Sequence, residues 1–230
     1  MLSLYHHIFC TKSRFASILM LEAGINYTPV PISFWSETHK LSTIDPIGEL
    51  PILTNIVGAE IPRGGEVIGG LYPVIEYIFD LTPDFHLLPQ STQEKALMRK
   101  IIYWINSRFE QEITRYILNE KFIKLVSHDK TGPRTEFIRA AKINLAHHLN
   151  YLLSFIESNG NLASRQISAA DIFLASHISI LDYFGEINWE KSLFLKEWYV
   201  SIKSRPSFRK ILSERVNLIK PPNYYEELDF

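Results

Sequence analysis

Cysteine is nearly absent, with Cys10 the single one in 230 residues. A disulfide framework and a cysteine-based zinc site are therefore excluded, and one lone thiol suits a reducing compartment. No run of about 18 apolar residues exists, so nothing in the sequence reads as membrane-inserted. The opening Met-Leu-Ser-Leu-Tyr-His-His lacks a basic n-region and reads as a first strand, not a signal peptide. A cytoplasmic protein is the expectation. Excess charge of either sign is missing too: the formal net charge is −1, which argues against a nucleic-acid partner.

What is present is an ordinary globular balance of 46% hydrophobic and 21% charged residues. A chain of this length buries about 70% of its unfolded surface, so it needs no metal to hold it together. Charge is unevenly spread. Residues 1–85 carry four Lys and Arg against nine Asp and Glu, whereas residues 86–230 carry twenty against sixteen. Two modules with different surfaces explain this most simply.

The patterning agrees. Leu2–His7 suits a strand, and Ser13–Ala23 spaces Phe15, Ile18, Leu19 and Glu22 as a helix, with Gly24 as its stop. Tyr27–Ile32 reads as a strand that Pro29 and Pro31 confine to an edge. Leu50–Leu53 is a third short strand after the turn Asp45-Pro46-Ile47-Gly48, and a fourth falls within the glycine-rich Val57–Ile68. Leu71–Phe79 returns to helix. The expected organisation is an α/β domain over residues 1–80, a linker with two prolines over 81–90, an all-α domain over 91–212, and a tail over 213–230. In the helical part, Ser91-Thr-Gln-Glu94 is a capping box. Leu97, Ile101, Ile105, Phe109, Ile113 and Ile117 follow as an i+4 ladder. Phe137–Ile156 is a second long helix that Asn159-Gly160 ends, a third starts at Ser168, and a fourth runs from Lys191 to Arg205 until Pro206 interrupts it.

Few residues invite chemistry. Cys10 falls between the first strand and first helix, where a helix N-terminus favours thiolate and Arg14 and His6-His7 add positive charge; a small buried hydrophobe is the other reading. Ser168-Ala-Ala-Asp171 has the spacing of a helix cap, with Ile167 and Ile172 as apolar contacts at its entry, so it is read as structure and not as a catalytic dyad. His147-His148 point about 100° apart on a helix, cannot chelate one metal as a pair, and read as surface and rim residues. No metal site is expected. Trp35 reads equally as a core or a contact aromatic.

Four segments together resemble the glutathione S-transferase superfamily: Phe-Cys-Thr-Lys-Ser-Arg at 9–14, Gly-Glu-Leu-Pro-Ile-Leu at 48–53, His-Leu-Leu-Pro at 86–89 and Ile-Ser-Ala-Ala-Asp at 167–171. The resemblance implies a thioredoxin-like N-terminal domain and an all-α C-terminal domain, the transferase fold, assembled as a homodimer. It implies that Cys10 holds the position of the catalytic serine or cysteine. It also implies that Pro51 is cis, with the backbone of its neighbour Leu50 pairing with the cysteinyl part of glutathione. In one respect the sequence departs from the pattern. Gly70 and Leu71 stand where the family usually carries Glu-Ser, so the hydroxyl that would hold the γ-glutamyl group is missing; Glu66 is a possible substitute carboxylate. The loss of such a hydrogen bond costs about 1.5–3 kcal/mol. No cofactor is required by this reading, and glutathione is the small ligand the family would supply.

A narrower resemblance is to the transferase-like alphaproteobacterial proteins that bind the tubulin-like division protein FtsZ. Its carriers are His6-His7, Leu-Asp-Tyr-Phe-Gly-Glu at 181–186, Lys-Glu-Trp-Tyr at 196–199, Ser-Arg-Pro-Ser-Phe-Arg at 204–209 and the terminal strip 220–230. This implies a binding module for FtsZ filaments at the division site, with Trp35, Tyr224, Tyr225, Glu227 and Asp229 as partner contacts. The alternative is a glutathione-dependent transferase or thiol transferase using Cys10.

Overall fold

The computed structural model describes residues 2–54, 67–127, 129 and 131–228. The chain divides into two compact units, Met1–Phe85 and His86–Phe230. The first carries strands β1 (Leu2–His6), β2 (Tyr27–Pro31), β3 (Ile52–Thr54) and β4 (Val67–Gly69), with helices α1 (Thr11–Glu22), α2 (Thr38–Ile44) and α3 (Leu71–Leu81). The strands form one mixed sheet in the order β2-β1-β3-β4. β1 runs parallel to β2 in the register Leu4↔Pro29, and antiparallel to β3 with Leu4↔Leu53. β2 lies at the edge, the position where Pro29 and Pro31 cost fewest ladder hydrogen bonds. Of the glycine-rich stretch, only Val67–Gly69 is a described strand, pairing Leu53 with Ile68.

Strand alternation divides the apolar residues between the two faces of the sheet. Tyr5 and Ile52, opposite one another, belong to a cluster with Ile32, Leu41 and Leu50, against which Cys10 and Phe34 also pack. α2, which no periodicity announces, is polar and rich in β-branched residues, with Leu41 alone buried. Leu41 and the half-buried Ile44 at its end, both in the apolar cluster, are its hold on the unit. α1 starts at Thr11, two residues before the expected Ser13, with Cys10 at the N-cap. Gly24, at φ +67°, turns the chain out of the helix in the left-handed region that suits glycine.

The second unit is helical. A continuous run holds α4 (Thr92–Trp104), a π-wound segment (Ile105–Thr114), α5 (Arg115–Leu118), a second π-wound segment (Asn119–Ile123) and α6 (Lys124–Val126). After it come α7 (Thr135–Asn159), α8 (Ala169–Tyr183), α9 (Leu193–Lys203) and α10 (Pro206–Ser213). The winding accounts for the ladder. In an α-helix, four residues advance about 400°, so a strict i+4 ladder drifts by about 40° per step and soon leaves the core face. Hydrogen bonds from i to i+5 widen the turns and slow that drift. Ile101, Ile105, Phe109, Ile113 and Ile117 are accordingly all buried, while Leu97 at the start is half-buried.

α7 buries Ala141, Leu145, Leu149, Leu152 and Ile156 and ends at Gly160, φ +90°. His148 is also buried there, unlike exposed His147, because Glu112 accepts its Nε2 hydrogen at 2.8 Å and Trp104 and Phe109 flank its ring. It is no surface residue. α8 is buried along its whole length, as a helix with apolar residues on all sides must be. Pro206 ends α9 but also opens α10, at the first turn where its missing N–H costs nothing. Among the described residues, no helix is long and apolar enough to cross a membrane.

Candidate functional site

In the first unit, the structure gathers Cys10, Leu50, Pro51 and the start of α3. Cys10, half-buried, donates its N–H to the His7 carbonyl at 2.9 Å and shares the apolar cluster with Leu50. The Leu50–Pro51 bond is cis, and the Pro51 carbonyl accepts the Gly70 N–H at 3.0 Å. Gly70 caps α3 at φ +87°, and Leu71 follows as a buried apolar side chain. Beside them the Asp45 carboxylate lies directly on Gly69, where a Cβ would meet it at 2.6 Å, and Asp45 Oδ1 accepts the Ile47 N–H at 2.8 Å. The end of β4 thus offers a carboxylate and no hydroxyl. Glu66, the candidate substitute, lies outside the described residues.

The charges expected around the thiol are otherwise engaged. Arg14 is wholly buried and donates Nε to the Ile8 carbonyl. His7 Nδ1 accepts the Phe9 N–H at 3.1 Å, which leaves the ring's hydrogen on Nε2. Its ring packs edge-on to Trp35, at 4.7 Å between centroids, and to Phe34 at 5.3 Å. Trp35 is half-buried in this aromatic group. Phe34, whose only signal in the sequence is its place one residue before Trp35, completes this group.

In the second unit, Ser168 and Asp171 form the cap. Asp171 Oδ2 accepts the Ser168 N–H at 2.9 Å and its hydroxyl at 2.8 Å, while Oδ1 accepts the Leu162 N–H at 2.9 Å and Trp198 Nε1–H at 3.2 Å. Burial raises the Asp171 pKa above the ordinary carboxylate value, against the pull of those four donors. Both carboxylate oxygens are used, so Asp171 fixes structure. The Leu87 carbonyl accepts the Ala169 N–H at 2.8 Å, satisfying another donor of the same helix end.

The tail is folded onto this unit. Tyr183 donates its hydroxyl to the Ile219 carbonyl at 2.8 Å, and Asn223–Tyr225 make a short 3-10 turn. Tyr225 was expected to face a partner; instead its ring is fully buried, edge-on to Tyr183 at 5.1 Å, and it anchors the tail. Beneath lies a buried ion pair, Lys203 Nζ to Asp182 Oδ2 at 3.8 Å, with Lys203 also reaching the Tyr224 carbonyl at 3.5 Å. Desolvation raises the Asp182 pKa to about 6 and lowers that of Lys203 to about 8. Tyr224 stays half-buried and Glu227 exposed, and Asp229 lies outside the described residues.

Tyr224 and Glu227 form one wall of a cleft of about 720 Å³. The other walls come from the loop after α8 (Glu186, Ile187, Trp189, Glu190), the start of α9 (Leu193, Lys196) and Lys142 of α7. Burial pushes the Glu186 pKa up, but hydrogen bonds from Lys121 and Lys142 outweigh it and hold the carboxyl below its ordinary value. No periodicity points to this cleft. Two motifs that carried the narrower resemblance, residues 181–186 and 196–199, flank it. Among the described residues, no group of His, Cys, Asp and Glu is placed to hold a metal ion.

No family model matches the chain. A curated relative, FtsZ-localized protein A of Caulobacter vibrioides, is 28% identical over 228 residues, 99% of this chain and 98% of its own. The solved structure of FzlA from C. crescentus superposes with a TM-score of 0.91 at 28% identity, covering 100% of this chain and 99% of that one. A solved glutathione S-transferase from Rhodospirillum rubrum F11 superposes with a TM-score of 0.89 at 32% identity, and each chain is covered completely. With a mixed thioredoxin-like sheet, a cis-proline beside Cys10, a helical second unit and full-length likeness to such structures, the chain belongs to the glutathione S-transferase family.

Proposed function

We propose that this protein is an FtsZ-filament-binding division factor that does not act as an enzyme. The observation that carries the reading is the full-length match to FtsZ-localized protein A, which extends through the tail. The start of α3 supports it: buried Leu71, Gly70 without a side chain and the Asp45 carboxylate give a γ-glutamyl group little to bind. Tyr224, Glu227 and Asp229 are the proposed tail contacts, with Trp35 as a second patch, at the division site in the cytoplasm.

A homodimer would give each assembly two such tails and raise filament avidity through effective concentration. An exposed aromatic group supports that arrangement: Tyr151 is an exposed large side chain that packs edge-on with Trp104 and Phe155. Sedimentation equilibrium giving a monomer at micromolar concentration would remove the dimer.

The test of partner binding is co-sedimentation of the chain with FtsZ polymers, wild type against Asp229→Lys and Tyr224→Ala. Truncation is a poorer test, because removing 220–230 also removes the buried Tyr225. Loss of pelleting in folded point variants is expected; equal pelleting would take both residues out of the contact.

The enzyme reading keeps one observation in its favour, the placement of Cys10 at the α1 N-cap against Leu50 and near the cis-proline strand. Calorimetric titration decides it. A glutathione dissociation constant tighter than about 100 µM, roughly −5.5 kcal/mol, would revive glutathione chemistry.

A further inference from the structure

The cleft between the tail and α9 has a charge balance that identifies what fits it. Its Glu186 is neutralised from two sides, by Lys121 and by Lys142 at 2.8 Å. Glu190 and Glu227 are different. Both are exposed, they stand on separate walls, and among the described residues neither makes a salt bridge within 4 Å, although Glu227 acts at longer range on Lys203. Against them the cleft sets Lys196.

Ile187, Trp189 and Leu193 supply the apolar part of the lining. Trp189 and Ile187 are buried at the base, and the Trp189 indole is fixed by its hydrogen bond to Asp182 Oδ1 at 2.8 Å and by stacking on Tyr199. Leu193, at the first position of α9, leaves 64% of its surface exposed at the rim, with Phe194 next to it. An exposed leucine lining the same cleft as a fixed tryptophan suits a bulky apolar anchor.

We propose that this cleft docks a short protein segment carrying an arginine or lysine next to a bulky apolar residue. The apolar side chain packs on Leu193 and Trp189, and the cation lies between Glu190 and Glu227. This rests on the filament-binding reading only for whose segment it is; the chemistry of the occupant comes from the cleft. The buried Lys203–Asp182 pair and Tyr225 matter here because they hold the tail wall in place.

Two arms test it. In the first, a peptide of alternating leucine and arginine is titrated into the full chain, followed by NMR, beside a peptide with glutamate in place of arginine. The basic peptide is expected to shift Trp189 indole and Leu193 methyl resonances, and the acidic one is not. Glu190→Lys and Glu227→Lys each exchange an attraction for a repulsion at an exposed position, worth about tenfold in affinity. Leu193→Ser should weaken binding without that charge dependence. All three residues are exposed, so the fold should survive; Glu190→Lys is the cleaner charge variant, because Glu227 also favours the charged form of buried Lys203. Equal shifts from both peptides, no shifts, or unchanged binding in the charge variants would overturn the proposal.

The second arm is pelleting of the same variants with FtsZ polymers. Peptide binding without wild-type pelleting upholds the cleft and removes the filament as its partner. Wild-type pelleting that survives all three substitutions upholds the filament reading and overturns the cleft as its contact.

Discussion

Asp182 and Lys203 show how a single buried pair sets a pH signature. Burial shifts both toward their neutral forms, Asp182 from 3.8 to about 6 and Lys203 from 10.5 to about 8. Glu227 favours the charged ammonium and Lys196 opposes it. From pH 3.8 to about 6 the folded state holds more protons than the unfolded one, so the pair's contribution to stability falls as pH rises. From about 8 to 10.5 the unfolded state holds more, and the contribution rises with pH. It is therefore lowest between about pH 6 and 8. At pH 7, Lys203→Met alone should cost about 3–5 kcal/mol by leaving Asp182 buried without its cation, whereas Lys203→Met with Asp182→Asn should be close to neutral. Urea denaturation from pH 5 to 10 checks both, and equal losses in the single and double variants would refute the coupling. Asp171 makes a simpler case. Asp171→Ala strands the Leu162 and Ser168 N–H groups and the Trp198 indole, a loss of about 3 kcal/mol, while binding by the folded fraction stays the same. Unchanged stability with lost binding would make Asp171 functional. Cys10→Ser should leave filament pelleting intact, since the thiol lies in the first unit's apolar cluster and is not needed by the proposed contacts.

At the scale of elements, legibility followed the strength of the periodic signal. β1, α1, α3 and α7 could be read because apolar spacing, glycine stops and caps agreed, as at Gly24 and Gly160. α2 could not, because Thr38–Ile44 buries one residue and has no apolar stripe. The ladder from Leu97 to Ile117 was legible as a helix, but its π-winding was not, although spacing of exactly four residues over so many turns was the clue. The Ser168–Asp171 cap was readable as structure; its extra bonds to Leu162 and Trp198 were not, since they depend on tertiary neighbours. The tail read as an open strip, and nothing local to residues 220–230 announces that Tyr225 turns inward to Tyr183. The α3 start gives the element-scale prediction. Gly70 at φ +87° accepts a β-carbon only with strain, so Leu71→Ser is the less costly single step toward the family's site. It should tighten glutathione about tenfold by calorimetry and lower the thermal midpoint, because Leu71 is buried. Unchanged affinity would show that Asp45 on Gly69, not the missing hydroxyl, is the stronger obstacle.

For the whole molecule, two features of the sequence act together: a first unit with nine acids against four bases, and a second with an excess of bases that nevertheless ends in an acidic, aromatic strip. The tail is not an appendage, since Tyr183, Lys203 and Tyr225 seat it, and this fixes Tyr224 and Glu227 at the edge of the cleft. A preorganised strip loses less entropy on binding than a free one. The central claim is that this fold serves as a filament-binding module. The most direct measurement is co-sedimentation of the full chain with FtsZ polymers at several salt concentrations. The account predicts saturable, polymer-dependent pelleting that weakens as salt rises and is lost in Asp229→Lys. A wild-type chain that stays in the supernatant at every salt concentration, with polymers in excess, would contradict it.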